Sequence, residues 1–120
     1  MAGLEQRRLG AMARSMLDGV SLWGREYLYR PKEIRSEVLI THERGRALRL
    51  ADAFEGEVQD DVLTGPVNMA QLTLVCVLHG RANDSPHGFT WQDGRPHLTA
   101  WVEQMGELSV VTETLPPPRN

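Results

Sequence analysis

The chain reads as an all-α bundle of four principal helices, and three observations predict it. Apolar residues recur at three- and four-residue spacing through several separate stretches. Helix-start chemistry stands ahead of two of them, at Asn68 and at Pro96. Strand-like patterning is confined to one short segment, "LSVVTETL". A length of 120 residues holds one domain, residues 1–120, with 115–120 expected as a flexible tail.

The first helix is expected from Leu9, where Met12, Ala13, Met16, Leu17, Val20, Trp23 and Tyr27 fall on one stripe. It should end before "YRP", because Pro31 disfavours helical backbone in the residue ahead of it. A second is expected from near Ser36 to about Val58, with Ile40, Ala47, Ala51, Phe54 and Val58 inward, paired antiparallel with the first.

The third helix has the fullest start signal. Asn68 is a favourable N-cap, Gln71 sits three residues on where a capping box needs it, and Val67 and Leu72 occupy hydrophobic-staple positions. The run through Leu72, Leu74, Val75, Cys76, Val77 and Leu78 predicts a helix buried all round. After the polar loop "GRANDSPHGF", Pro96 opens a fourth helix with Leu98, Trp101, Val102 and Met105 inward. A short fifth turn near the C-terminus completes the expectation.

Composition bounds the function. The 41% hydrophobic and 24% charged content is that of a folded chain, and a net charge of -3 advertises no nucleic-acid surface. "LTLVCVL" is far shorter than the ~20 residues of a membrane helix, and "MAGLEQRR" lacks a signal-peptide core. The expectation is a cytoplasmic protein, and the single Cys76 excludes an intrachain disulfide.

The residues that invite a chemical reading are weak candidates. His42, His79, His87 and His97 form no His-x-x-x-His pair, so no metal site is expected. Cys76, among Val and Leu, reads as an inert core thiol. Glu55, Glu57, Asp60 and Asp61 cluster where a helix ends and read as a solvated helix end rather than an acid–base pair. "RPKEIR" and "RGR" would be basic, but Glu33, Glu37 and Glu43 intersperse them, which favours an exposed face laced with ion pairs. In "TWQDGRPHLTAWVEQM", Asp93, Arg95 and His97 stand between Trp91 and Trp101. Trp91 is expected to pin the long loop and Trp101 to enter the core. No catalytic residue is assigned.

From about Leu9 to Pro116 this order of features resembles the C-terminal helical domain of bacterial glutathione S-transferases. Asn68 and Gln71 match that family's capping box, usually Ser or Thr with Asp. Trp91, Pro96, Leu98 and Trp101 match its "W…P.L..W" segment, and Thr114 with Pro116 its "T.P" ending. Ser109 and Val110 depart from the Pro-Ser common before that ending. The glutathione-activating residue and the cis-proline of the family belong to an N-terminal thioredoxin-like domain, and no βαβ pattern is present in this sequence.

The resemblance therefore implies a domain that is not catalytic alone. It would complete a hydrophobic co-substrate pocket together with a thioredoxin-like partner, with Met12, Met16 and Gly19 of the first helix as wall candidates. It implies no cofactor, and glutathione as co-substrate only where the thioredoxin-like domain is supplied. The face that domain covers in the family would be open, so the expected partners are a second copy or a thioredoxin-like chain, engaged through the first and third helices, with a hydrophobic small molecule as ligand. Two alternatives stand beside this: a helical protein–protein interaction module, and a stand-alone glutathione transferase or small-ligand binder.

Overall fold

The computed structural model describes residues 2–82 and 88–113, and these form an all-α bundle without a strand. His87, Thr114, Pro116 and the segment 115–120 lie outside the described residues. Helix α1 is Ala2–Tyr29, α2 Glu37–Glu57, α3 Asp61–Thr64, α4 Met69–Val75, α5 Pro96–Gly106 and α6 Ser109–Thr112. A π-helical turn, Cys76–Arg81, prolongs α4, and a 3-10 turn, Lys32–Ile34, joins α1 to α2. The four principal helices are thus α1, α2, α4 with its extension, and α5. The "LSVV" segment enters a helical turn rather than a strand.

Three links set α1 antiparallel to α2. Arg8 reaches Glu57 at 3.0 Å, Arg46 donates to the Ser15 hydroxyl, and the Glu26 carboxylate accepts the Ser36 N–H at 2.9 Å. Leu9, Ala13, Met16, Val20 and Trp23 of α1 meet Ile40, Ala47, Ala51 and Phe54 of α2 in one core cluster. Helix α1 starts seven residues earlier than its apolar stripe, with its first turns held by the Glu5–Arg8 pair at 2.8 Å.

The α1–α2 corner explains the basic run. Arg35 donates to the carbonyls of Glu26, Tyr27 and Arg30, closing the C-terminus of α1, and its guanidinium lies 4.6 Å from the Tyr27 ring centroid. Ser36 then caps α2 by accepting the Leu39 N–H.

At the start of α4 the capping box is complete. Asn68 accepts the Gln71 N–H at 3.0 Å and Gln71 accepts the Asn68 N–H at 3.1 Å. Val67 is 53% exposed, so the corner is held chiefly by polar contacts. The expectation of a helix buried all round needs correction: Met69, Cys76 and Gly80 are exposed and Thr73 is half-buried. Helix α4 buries Ala70, Gln71, Leu74 and Val75 but leaves a stripe open, and Cys76 is no core thiol.

Both tryptophans are architecture. Trp91 is buried and donates to the Ala82 carbonyl at 2.6 Å, tying the end of the π-turn down. Trp101 is buried and donates to the Leu63 carbonyl at 2.8 Å. Phe89 meets Trp23 edge-on at 5.4 Å.

Candidate functional site

An open groove of about 850 Å³ runs between α1 and α4. On α1 it is lined by Gly3, Gln6, Arg7, Gly10, Ala11, Arg14, Ser15 and Asp18, and across from them stand Met69, Ala70 and Thr73 of α4. Its α1 positions recur at three and four residues, the solvent-facing counterpart of the buried stripe. Small residues form the floor: a Cβ on Gly10 would stand 3.9 Å from that of Ala70. Leu4 and Met69, both more than 60% exposed, are uncovered apolar side chains on the first turns of α1 and α4.

The three wall candidates read from the sequence stand on other sides of α1. Met16 is fully buried in the core, and Met12 is half-buried, with its sulfur 3.6 Å from an Arg8 nitrogen. Gly19 is buried beneath α2, where a Cβ would come within 2.7 Å of Arg46 Nη2 and 2.9 Å of Glu43 Oε2. None of the three is among the groove's lining residues. The lining residues gave no signal in the sequence because Gly, Ala and Arg carry no apolar pattern; only the complementary face of the same periodicity marks them.

The other candidates are spent on structure. Arg95 pairs with Asp52 at 2.8 Å and donates to the carbonyls of Leu48, Thr90, Trp91 and Asp93, so it ties the turn before α5 to α2. Glu55 is not solvated as expected: it accepts the N–H groups of His97 and Leu98. Asp60 caps α3 through the Val62 N–H at 2.9 Å. His42 is exposed, and His97 is exposed with Nδ1 3.3 Å from the Gln59 amide nitrogen. His79 packs its ring on Gly106 with Nδ1 unpartnered among the described residues.

Glu5, Glu57 and Asp60 bring three carboxylates together, but the Arg8 guanidinium already bridges Glu5 and Glu57 at 2.8 and 3.0 Å. The hydrogen bond between Arg8 and Glu5 holds the Glu5 carboxyl below its ordinary range and raises Arg8 above its own. The cluster carries its own cation.

The sequence model of "Glutathione S-transferase, C-terminal domain" matches residues 37–104, more than half of the chain. The chain belongs to this family. The glutathione S-transferase C-terminal fold extends beyond the matched segment, since α1 is part of the same core.

The uncharacterized GST-like protein YibF of Escherichia coli (strain K12) is 30% identical over 118 residues, covering 98% of this chain and 57% of the relative. A glutathione transferase family member from Pseudomonas fluorescens Pf-5, solved with bound S-(propanoic acid)-glutathione, superposes with a TM-score of 0.86 at 23% identity, covering 96% of this chain and 58% of that one. A structure of a family member from the same organism with bound glutathione gives 0.85 at 22% identity, covering 96% and 55%. At these identities the structural likeness establishes the fold. The chain spans under three-fifths of the length of each of these proteins.

Proposed function

We propose that this chain is the helical half of a glutathione-transferase-like protein, not catalytic alone, that completes a hydrophobic co-substrate pocket when a thioredoxin-like domain covers the α1/α4 groove. The open groove carries the reading. It combines the uncovered Met69 side chain, a floor of small residues and polar rims on α1 and α4. The extra length of the matched relatives supports a second domain. In this reading residues such as Gly10, Ala11, Ser15 and Thr73 face the ligand, while Met12, Met16 and Gly19 serve the wall indirectly by seating α1 against the core and α2.

No helix among the described residues is long and apolar enough to cross a membrane. The proposed role is that of a cytoplasmic protein. Isothermal titration of the purified chain with glutathione should give no saturable heat, and the chain should not conjugate 1-chloro-2,4-dinitrobenzene. Saturable glutathione binding by the chain alone would overturn the reading in favour of a stand-alone transferase.

A second reading, an interaction module without chemistry, is favoured by the shallow polar rims of the groove. It is separated from the first by whether a complex with a thioredoxin-like chain gains conjugating activity or merely forms.

A further inference from the structure

Arg7 and Arg14 are both exposed and both line the groove, and Gly10 and Ala11 lie between them on the same face of α1. Residues three and four apart on a helix are neighbours, with about 5–6 Å between Cβ atoms, so each arginine is one turn from that floor. Both long side chains can therefore reach a spot that only a hydrogen and a methyl group occupy. Among the described residues neither guanidinium has a hydrogen bond or an ion pair, whereas Arg8, Arg46 and Arg95 are each held by a carboxylate. Asp18 is the one acid among the described lining residues, and it lies one turn beyond Arg14 without pairing with it.

A third donor stands beside them. The Ser15 oxygen accepts a hydrogen bond from the Arg46 guanidinium, which Glu43 holds in turn at 2.7 Å. With that oxygen engaged from the α2 side, the hydroxyl proton is left to donate into the groove that Ser15 lines. Arg46 has room to reach Ser15 because Gly19 carries no side chain; a Cβ there would stand 2.7 Å from Arg46 Nη2. Across the groove the wall is apolar, with Ala70 and a Met69 side chain that is 69% exposed. Three donors on one side and an uncovered apolar surface on the other describe a site for a molecule with an anionic end and an apolar body.

We infer that the co-substrate of the α1/α4 groove is an amphipathic carboxylic acid. Its carboxylate sits over Gly10 and Ala11 between Arg7 and Arg14, with the Ser15 hydroxyl as a further donor, and its apolar body lies against Met69 and Ala70. This rests on the function proposed above and names the class of its co-substrate. The same pair of cations selects against other ligands. A neutral molecule closed into the groove leaves two unpaired charges beside it, and an ammonium is repelled.

The test titrates the isotope-labelled full chain, by amide NMR, with three probes that share one apolar body: 3-phenylpropanoate, 3-phenylpropanamide and protonated 3-phenylpropylamine. The acid should shift the amides of Gly10, Ala11, Ser15, Ala70 and Thr73 saturably, and less so as salt rises. It should bind about tenfold tighter than the amide, the change that two exposed charge-assisted contacts supply. Arg7→Gln and Arg14→Gln should each weaken the acid by about threefold and together remove its preference over the amide. Both side chains are exposed and unbonded, so the fold should survive, and the same spectra report it. Arg25→Gln, exposed on α1 outside the groove, should leave the preference intact.

If the three probes shift the groove alike, the carboxylate clamp is overturned while the apolar pocket of the proposed function stands. A leading amine, or no shift from any probe, overturns the clamp as well; whether a complex with a thioredoxin-like chain conjugates then decides the function by itself. Glutathione added last separates the two readings. If it displaces the acid, the arginines serve the peptide's own carboxylates, and both the clamp and the inability of the chain alone to bind glutathione are refuted. Glutathione bound elsewhere, with the acid still in place, refutes only the latter.

Discussion

Glu55 on α2 holds Leu98 by its backbone: one carboxylate oxygen accepts the Leu98 N–H at 2.7 Å while the other accepts that of His97 at 3.2 Å. Helix α5 needs this, because Arg95 at its N-cap offers no side-chain cap and Pro96 has no N–H. A carboxylate at a helix N-terminus is favoured by the helix dipole as well as by the two bonds. Glu55→Ala should therefore cost about 1–2 kcal/mol, and Glu55→Gln less, since an amide oxygen still accepts. Equal urea midpoints for wild type and Glu55→Ala would show that α5 caps itself.

Trp101 is tested by two substitutions that remove different things. Trp101→Ala empties the space between α5 and α3 and should cost about 3–5 kcal/mol. Trp101→Phe keeps most of the ring but leaves the Leu63 carbonyl without its 2.8 Å donor, for about 1–3 kcal/mol. Thermal unfolding should rank them in that order; a Trp101→Ala chain that melts with the wild type would remove Trp101 from the core.

Where the sequence announced the fold, it did so through burial. The stripe of Leu9, Ala13, Met16, Val20 and Trp23 is apolar because it is covered, and the Asn68–Gln71 box is local enough to be read in four residues. The groove has the opposite character. Its residues are mostly small or charged and give little apolar signal, so the sequence pointed to the methionines, which are not among its lining residues. The capping role of Glu55 depends on α2 meeting α5 across 43 residues of chain, which no local pattern encodes. Cys76 was misplaced because a continuous apolar run hides which side of a helix stays open, and because the π-turn that starts there changes the phase of the residues beyond it.

Gln71 is 1% exposed and satisfies more of the corner than a cap requires. Its amide nitrogen donates to the carbonyls of Val62 and Gly65 at 3.1 Å each, while Asn68 donates to those of Val62 and Pro66. Gln71→Ala removes a buried amide, its half of the capping box and its bonds to Val62 and Gly65, while Val62 keeps the Asn68 donor, and should cost about 2–3 kcal/mol. Asn68→Ser keeps the cap and loses only its amide donors, for about 1 kcal/mol. Amide exchange in the first turn of α4 should accelerate in the same order, and the reverse ranking would mean that the cap, not the buried amide, holds the corner.

Arg8 makes a pH-dependent contribution whose sign is fixed by Glu5. The Arg8 hydrogen bond lowers the Glu5 pKa from 4.5, so the folded carboxylate binds its proton less readily than the unfolded one. The stabilisation is fully present above about pH 4.5 and is lost as pH falls through the lowered folded value. Arg8, raised above its ordinary value, stays charged throughout. An NMR titration should move the Glu5 midpoint upward in Arg8→Gln, and less so in high salt, because the pair is exposed. An unchanged midpoint would dismiss the pair.

The contact of His79 with Gly106 reverses an ordinary rule of helix stability. Glycine inside a helix usually costs about 0.5–1 kcal/mol against alanine. Gly106 ends α5 with the His79 ring packed where a Cβ would stand, its Cδ2 and Nε2 overlapping that position. Gly106→Ala should accordingly destabilise the chain by about 1–3 kcal/mol through overpacking. His79→Ala removes the obstacle and breaks no hydrogen bond at Nδ1, which has no partner among the described residues. In that background Gly106→Ala should become neutral or mildly stabilising, as its helix propensity alone would dictate. The double-mutant cycle should thus show a coupling of about 1–3 kcal/mol. Additive single-mutant effects would mean that the ring swings aside at little cost, and that glycine is not required at this crossing.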